Sequence, residues 1–226
     1  SHLASLTDNV GIIHHAKHSV PNRKTGYTLD DNARALMVAA KHYNIFKSQK
    51  SLELIKTYLS FLHYAQKEDG TFHNLLDYER KFLDEKGSED SYGRALMASG
   101  FVVSSSVPEN IKANAKFIFD NAVRSVYKLR FLRAKSFSII GLYHYFKKYK
   151  NKDIVEKAKI LADSLANDYK ENSTKDWKWF EPYLTYSNGR LPESLFFAYS
   201  ITNNKDYLEI AKESLDFLSK TLVING

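Results

Sequence analysis

The sequence predicts an all-α protein of stacked helical hairpins, an α/α toroid-like fold, and three observations carry that expectation. Apolar residues recur at three- and four-residue steps through most of the chain. Stretches that are apolar on nearly all sides alternate with stretches carrying one apolar stripe. The links between them are alternately short and long. Only 9 Gly and 4 Pro occur in 226 residues, too few for a fold of many short strands and turns.

Eight helices are expected, over 31–46, 50–68, 90–104, 109–128, 133–150, 152–171, 190–203 and 205–221. The second repeats Leu52, Ile55, Leu59, Leu62 and Ala65. The sixth repeats Val155, Ala158, Ala162, Leu165 and Tyr169, and the eighth Leu208, Ala211, Leu215, Leu218 and Leu222. Asn151 and Asn204 read as N-caps. Ser106-Val107-Pro108-Glu109 has a capping-box spacing with proline in the first turn, and Pro192 fits only a first turn.

The odd-numbered stretches are the apolar ones, as in Ser138-Ile139-Ile140-Gly141-Leu142-Tyr143 and Leu195-Phe196-Phe197-Ala198-Tyr199. The even-numbered ones keep a charged face, with Lys112 and Lys116, then Glu156, Lys157 and Lys159. Inner helices alternating with outer ones are what a toroid or a curved solenoid requires. The long links 69–89 and 172–189, and the opening segment 1–30, then emerge at one end of the stack. Loops gathered on a rigid scaffold are where function sits. A weak internal repeat lays Asp30-Asp31-Asn32-Ala33-Arg34-Ala35-Leu36 over Asp90-Ser91-Tyr92-Gly93-Arg94-Ala95-Leu96, with an echo at Asn188-Gly189-Arg190-Leu191.

Composition narrows the function. Without cysteine there are no disulfides and no thiolate metal sites. The opening Ser1-His2-Leu3 starts no signal peptide, and no apolar run approaches a membrane span, so a cytoplasmic location without membrane contact is the expectation. A net charge of +7 implies weak affinity for anions. Most lysines, however, alternate with acids on helix faces, so a solvated surface is expected and nucleic acid is not a partner. His14 and His18 have a metal-compatible spacing, but no HExxH strengthens it. No phosphate loop or nucleophile elbow is visible either, and neither metal nor cofactor is expected.

The loop end collects Asp30, Asp31, Asp77, Asp84, Glu89, Asp90, Glu181 and Glu193. Acids at helix starts also serve as caps and favour the positive end of the dipole. Yet three distant segments bring them to one end, and glycoside chemistry needs two carboxyl groups facing each other across a bond. Trp177, Trp179, Phe180, Tyr183 and Tyr186 surround Glu181 and could seat a sugar ring; alternatively they plug the end of the barrel as a local core. A carboxyl group among aromatics is placed for a raised pKa, which makes Glu181 the preferred acid. Asp90 is the alternative acid. Asp31 or Asp30 is the expected base or water positioner, with Arg34, Arg94 and Arg190 orienting these acids.

Longer motifs add a resemblance. Leu6-Thr7-Asp8-Asn9-Val10-Gly11-Ile12, then Gly26-Tyr27-Thr28-Leu29-Asp30-Asp31-Asn32, then Phe72-His73-Asn74, and finally Asp176-Trp177-Lys178-Trp179-Phe180-Glu181-Pro182 resemble a bacterial and archaeal family. Its members form the carboxy-terminal part of glycosyltransferase polypeptides or stand beside carbohydrate genes. The resemblance implies a six-hairpin toroid of the glycosidase-like superfamily. The chain supplies four hairpins of such a ring, so residues 1–226 are expected to be one domain, a partial (α/α)6 barrel lacking the family's last hairpins. Tyr27 and His73, inside the shared motifs, join Arg34, Arg94, Trp177, Trp179, Tyr186 and Arg190 as expected substrate-binding residues.

The leading expectation is a carbohydrate-active, glycoside hydrolase-like enzyme working by paired carboxylates on an oligosaccharide or polysaccharide. The alternative is a non-catalytic sugar-binding or scaffolding module associated with a glycosyltransferase. An open arc would expose apolar residues at its end hairpins, giving an edge for a second copy or another partner.

Overall fold

The computed structural model describes residues 2–222; Ser1, part of the opening tripeptide considered above, lies outside them. Eight long helices form four hairpins: α1 (Leu29–Phe46) with α2 (Gln49–Ala65), α3 (Glu89–Ser104) with α4 (Glu109–Ala122), α5 (Leu132–Tyr149) with α6 (Lys152–Asn172), and α7 (Arg190–Thr202) with α8 (Lys205–Leu222). A one-turn helix, His2–Ser5, precedes them. Among the described residues strands are confined to the loops, as two short antiparallel pairs: Ala16–Lys17 with Val20–Pro21, and Tyr27–Thr28 with Leu75–Leu76. The second pair ties the opening segment to the loop between α2 and α3.

Local chemistry explains the boundaries. Thr28 and Ser88 cap α1 and α3 through their hydroxyls, each followed by acids in the first turn. Asn151 and Asn204 cap as expected, accepting from Asp153 N and Asp206 N. Ser106 does not cap α4; its hydroxyl donates to Asn44 Oδ1, and Pro108 occupies the cap position instead. The inner helices α1, α5 and α7 end on left-handed residues, Lys47, Lys150 and Asn203, whose N–H groups return to the last turn and allow the short links. The second helix stops at Ala65 rather than 68, and the fourth runs on as a 3-10 turn over Val123–Lys128.

The odd helices are the inner layer. α1, α3, α5 and α7 pack in that order, each against the next, and each outer helix covers its own partner. α3 and α5 are buried on nearly all sides and meet closest. Their contact depends on missing side chains: a Cβ on Gly100 would lie 2.3 Å from the Gly141 carbonyl oxygen, and one on Gly141 2.6 Å from that of Leu96. Gly141→Ala is therefore expected to cost about 1–3 kcal/mol by forcing two backbones apart, read as a lowered Tm. An unchanged Tm would mean that the seam can open freely. Helices α1 and α8 do not pack against one another, so the four hairpins form an open arc. Val38, Ile45 and Phe46 are exposed on the first of these end helices, and Leu215 and Leu222 on the last.

Candidate functional site

The first turns of α1, α3 and α5 sit side by side at the long-loop end, and the repeat seen in the sequence becomes a chain of ion pairs there. Asp31 Oδ2 lies 2.6 Å from His14 Nδ1 and accepts from the Thr28 hydroxyl. Arg34 Nη2 donates to both Asp31 Oδ1 (2.7 Å) and Asp30 Oδ2 (3.0 Å). Arg94 Nε then stands between two hairpins, 2.8 Å from Asp30 Oδ1 and 2.9 Å from Asp90 Oδ2. Only the Asp90 contact has hydrogen-bond geometry, so Asp30 Oδ1 is buried beside a charge without a donor. The far oxygen of Asp90 accepts from the Tyr186 hydroxyl at 3.0 Å. Burial, together with that carboxylate, pushes the Tyr186 phenol up and keeps it a donor.

The start of α5 breaks the usual electrostatic rule. It has no side-chain cap and no acid in its first turn, but carries Arg133 and Lys135, both buried. Its carboxylates come from elsewhere. Glu89 Oε2 accepts from the N–H groups of Arg130 and Phe131, Asp168 pairs with Lys135 at 3.2 Å, and Glu181 pairs with Arg133 at 2.5 Å. Arg133 also donates to Tyr186 O and Asn188 Oδ1, each at 2.9 Å, and lies against the Tyr186 ring. One guanidinium thus fastens the second half of the 173–189 loop.

These elements enclose a cleft of about 570 Å³ lined by Asp90, Arg133, Asp168, Glu181 and Tyr186 among others. Three rings stand at its edge, Phe131, Tyr183 and Tyr186, exposed at 69%, 59% and 53%. Asp90 and Glu181 share the cleft. Asp30 and Asp31 do not line it; Asp30 reaches it through Arg94, and Asp31 one link further back.

Several expected roles need correction. Tyr27, at 1% exposure, is a core residue whose hydroxyl is spent on Asp8. Trp179 is fully buried, and Trp177 is half-buried, its Nε1 donating to Glu181 O and its ring against Phe217. The tryptophans therefore plug the barrel end, and the cleft's rings are phenylalanine and tyrosine. Arg190 pairs with Glu193 and reaches no cleft acid. His73 engages the Asp84 carbonyl and stacks on Phe82. Asp77 and Asp84 bind loop N–H groups. Glu181, expected in an apolar setting, has a guanidinium for a neighbour. Arg133 was missed, although Arg133-Ala134 repeats the Arg34-Ala35 and Arg94-Ala95 pairs near the start of the next inner helix.

The carboxyl group with raised proton affinity is Asp30. Burial lifts it above 3.8, assisted by Asp31 and Asp90 and opposed by Arg94 and Arg34. The folded protein then holds this proton more tightly than the unfolded chain does. The stability so contributed is present below 3.8 and is lost as pH rises through the folded value. Asp30→Asn should accordingly gain on the parent protein in Tm between mildly acidic and neutral pH; a gap that narrows with rising pH would contradict this.

No protein-family model matches the sequence, and no curated protein sequence matches it. Solved structures do. A cellobiose 2-epimerase from Bacillus thermoamylovorans B4167 superposes with a TM-score of 0.76 at 12% identity, covering 99% of this chain and 69% of its own. A D-mannose isomerase gives 0.73 at 16% identity over 97% and 67%, and a sugar epimerase from a ruminal bacterium 0.71 at 14% over 94% and 65%. The chain has their α/α-toroid fold. None of its described helices is long and apolar enough to cross a membrane.

Proposed function

We propose that the long-loop end of the arc is a carbohydrate site, and that Asp90 and Asp30 supply acid/base chemistry there, in the manner of a glycoside hydrolase. The observation that carries the reading is the sharing of Arg94. Two carboxyl groups lie within 3 Å of one nitrogen, so their near oxygens are no more than about 6 Å apart, an upper bound that admits the roughly 5–5.5 Å of paired carboxylates in retaining chemistry. Their surroundings differ in the way that separates an acid from a base. Asp30 has a buried oxygen with no donor and a raised proton affinity, while both oxygens of Asp90 accept hydrogen bonds. Asp90 is the member that faces the cleft, and exposed rings at the rim suit the apolar faces of sugars. Likeness in fold to proteins named for epimerising cellobiose or isomerising mannose supports a sugar as the ligand. The motif resemblance adds a glycosyltransferase as neighbour.

A second reading, a sugar-binding module without catalysis, is favoured by one observation: Glu181 and Asp90 are both held by arginines. The deciding experiment incubates the protein with α- and β-linked oligosaccharides and analyses products by reducing-end assay and mass spectrometry. New reducing ends, lost in Asp90→Asn, are the expected result. Isomers of unchanged mass would keep the sugar and replace hydrolysis with proton transfer at carbon. Saturable binding without product would favour the module, and no binding to any sugar would overturn both.

A further inference from the structure

The inner face of the arc continues past the ion-pair chain toward the short-link end, and its chemistry changes on the way. Lys41, Phe101 and His144 stand two helical turns beyond Arg34, Arg94 and Phe137, so they share the faces of those residues at a lower level. There the four inner helices meet through their side chains. Lys41 Nζ lies 5.8 Å from the centre of the Phe101 ring, and that ring stands edge-on to His144 at 5.0 Å. His144 in turn neighbours Tyr143 at 5.3 Å and Phe197 at 5.9 Å, and Lys147 Nζ lies 5.9 Å from the Tyr143 ring. Both ammonium groups are thus one ring away from His144. Burial, followed by Lys147 and Lys41, pushes this imidazole down to about 4, and no carboxylate is among the groups that shift it. Val38 and Ile45, on the same stripe as Lys41, are exposed at 55% and 72%.

The charge on this face has no counterpart in its own helices. Stretches 32–52, 91–108, 131–152 and 194–205, which hold the inner helices beyond their first turns, contain no aspartate or glutamate. Neither Lys41 nor Lys147 enters an ion pair among the described residues. Lysines in a last turn also answer the helix dipole, but Lys41 stands more than a turn before the end of α1 at Phe46. We propose that this face docks an amphipathic helix of another protein, one that carries aspartate or glutamate beside its apolar stripe. The stripe lies along Val38 and Ile45 and against the Phe101 and Phe197 rings, and the acids meet Lys41 and Lys147. A second copy is a poor complement, since pairing this face with itself brings like charges together. A flat anionic membrane meets a level surface better than the inside of an arc.

Fluorescence anisotropy with two labelled model helices tests the assignment. Both have the same length and the same leucine stripe, flanked in one by glutamates and in the other by lysines. At low salt the glutamate helix should bind at least about ten-fold more tightly, and the difference should shrink as salt rises. Lys41→Gln/Lys147→Gln should abolish the difference, and Ile45→Asn should weaken the glutamate helix several-fold. All three side chains are exposed, so Tm should hold in each variant. Hydrogen exchange on binding should slow over 38–45 and 143–147. Equal binding of the two helices, a preference that survives in the double variant, or protection confined to other segments overturns the proposal. Two other occupants have their own signatures, and either one overturns the assignment to a partner helix. They are a dimer in sedimentation that Ile45→Asn dissolves, and pelleting with phosphatidylserine vesicles that the double lysine variant loses.

Discussion

Arg133→Ala is expected to cost about 3–5 kcal/mol, because it strands a nearly buried carboxylate rather than simply deleting a contact. For a domain of this size that is on the order of 10 °C in Tm. The same substitution removes the donors to Tyr186 O and Asn188 Oδ1, so the 173–189 loop should lose hydrogen-exchange protection along its length. Glu181→Gln should cost less, about 1–3 kcal/mol, since the amide keeps its shape and loses only charge. In Arg133→Ala/Glu181→Gln the stranded charge is gone. The double variant should therefore lose less than the sum of the singles, with a coupling of about 1 kcal/mol or more. Strict additivity in thermal or urea unfolding would show that the pair does not interact. These variants also separate two roles for Glu181: a carboxylate that shapes the loop changes stability, whereas an acid acting on substrate changes turnover alone.

Asp90→Asn should behave in the opposite way. The amide oxygen can still accept from the Tyr186 hydroxyl, and Arg94 retains Asp30 as a partner, so stability should change by less than about 1 kcal/mol. Activity toward a cleaved oligosaccharide should fall by about 10²-fold or more, the usual contribution of a positioned acid or base. With Asp30 as the member that keeps its proton, the alkaline limb of the pH profile belongs to it, and that limb should disappear from whatever activity Asp30→Asn retains. A fall in kcat of less than about five-fold in Asp90→Asn would remove this residue from the chemistry.

The scaffold was legible in the sequence because a single physical signal wrote it. Three- and four-residue steps mark buried stripes, and the difference between one stripe and none separates outer from inner helices. Helix ends were legible to within one or two residues where a local signal marks them, as at Asn151, Asn204 and the end of α1 at Phe46. They were not where a tertiary contact decides, as at Ala65, after which Gln66 pairs with Phe72 and α2 stops short of 68. The same distinction runs through the site. Asp30, Asp31, Arg34, Asp90 and Arg94 lie within one helix turn of each other in pairs, so local spacing revealed them. The partnership of Arg133 with Glu181 spans a hairpin and a long loop and has no local trace. Aromatic content pointed to one loop without separating its inward rings from its outward ones, because composition cannot tell which side of a loop faces the core. Trp179 and Phe180 are buried, and Tyr183 and Tyr186 remain at the surface.

Packing each inner helix only against its sequential neighbours makes the molecule a short one-dimensional array. Stability in such an array is graded. The α3–α5 seam, held on both sides, opens last, and the end hairpins open with the least loss of contact. Asp90 and Arg133 stand on the resistant pair, whereas Asp30, Asp31 and Arg34 stand on an end hairpin. The guanidinium of Arg94 is therefore a latch across a boundary between a unit that opens easily and one that does not. A ligand gripping Asp90 and Tyr186 would act on the durable half, and a ligand reaching Asp30 would also hold the first hairpin shut. The depth to which a sugar penetrates this end of the fold thus becomes readable as protection of residues 29–65 against exchange, some distance from any atom the sugar touches.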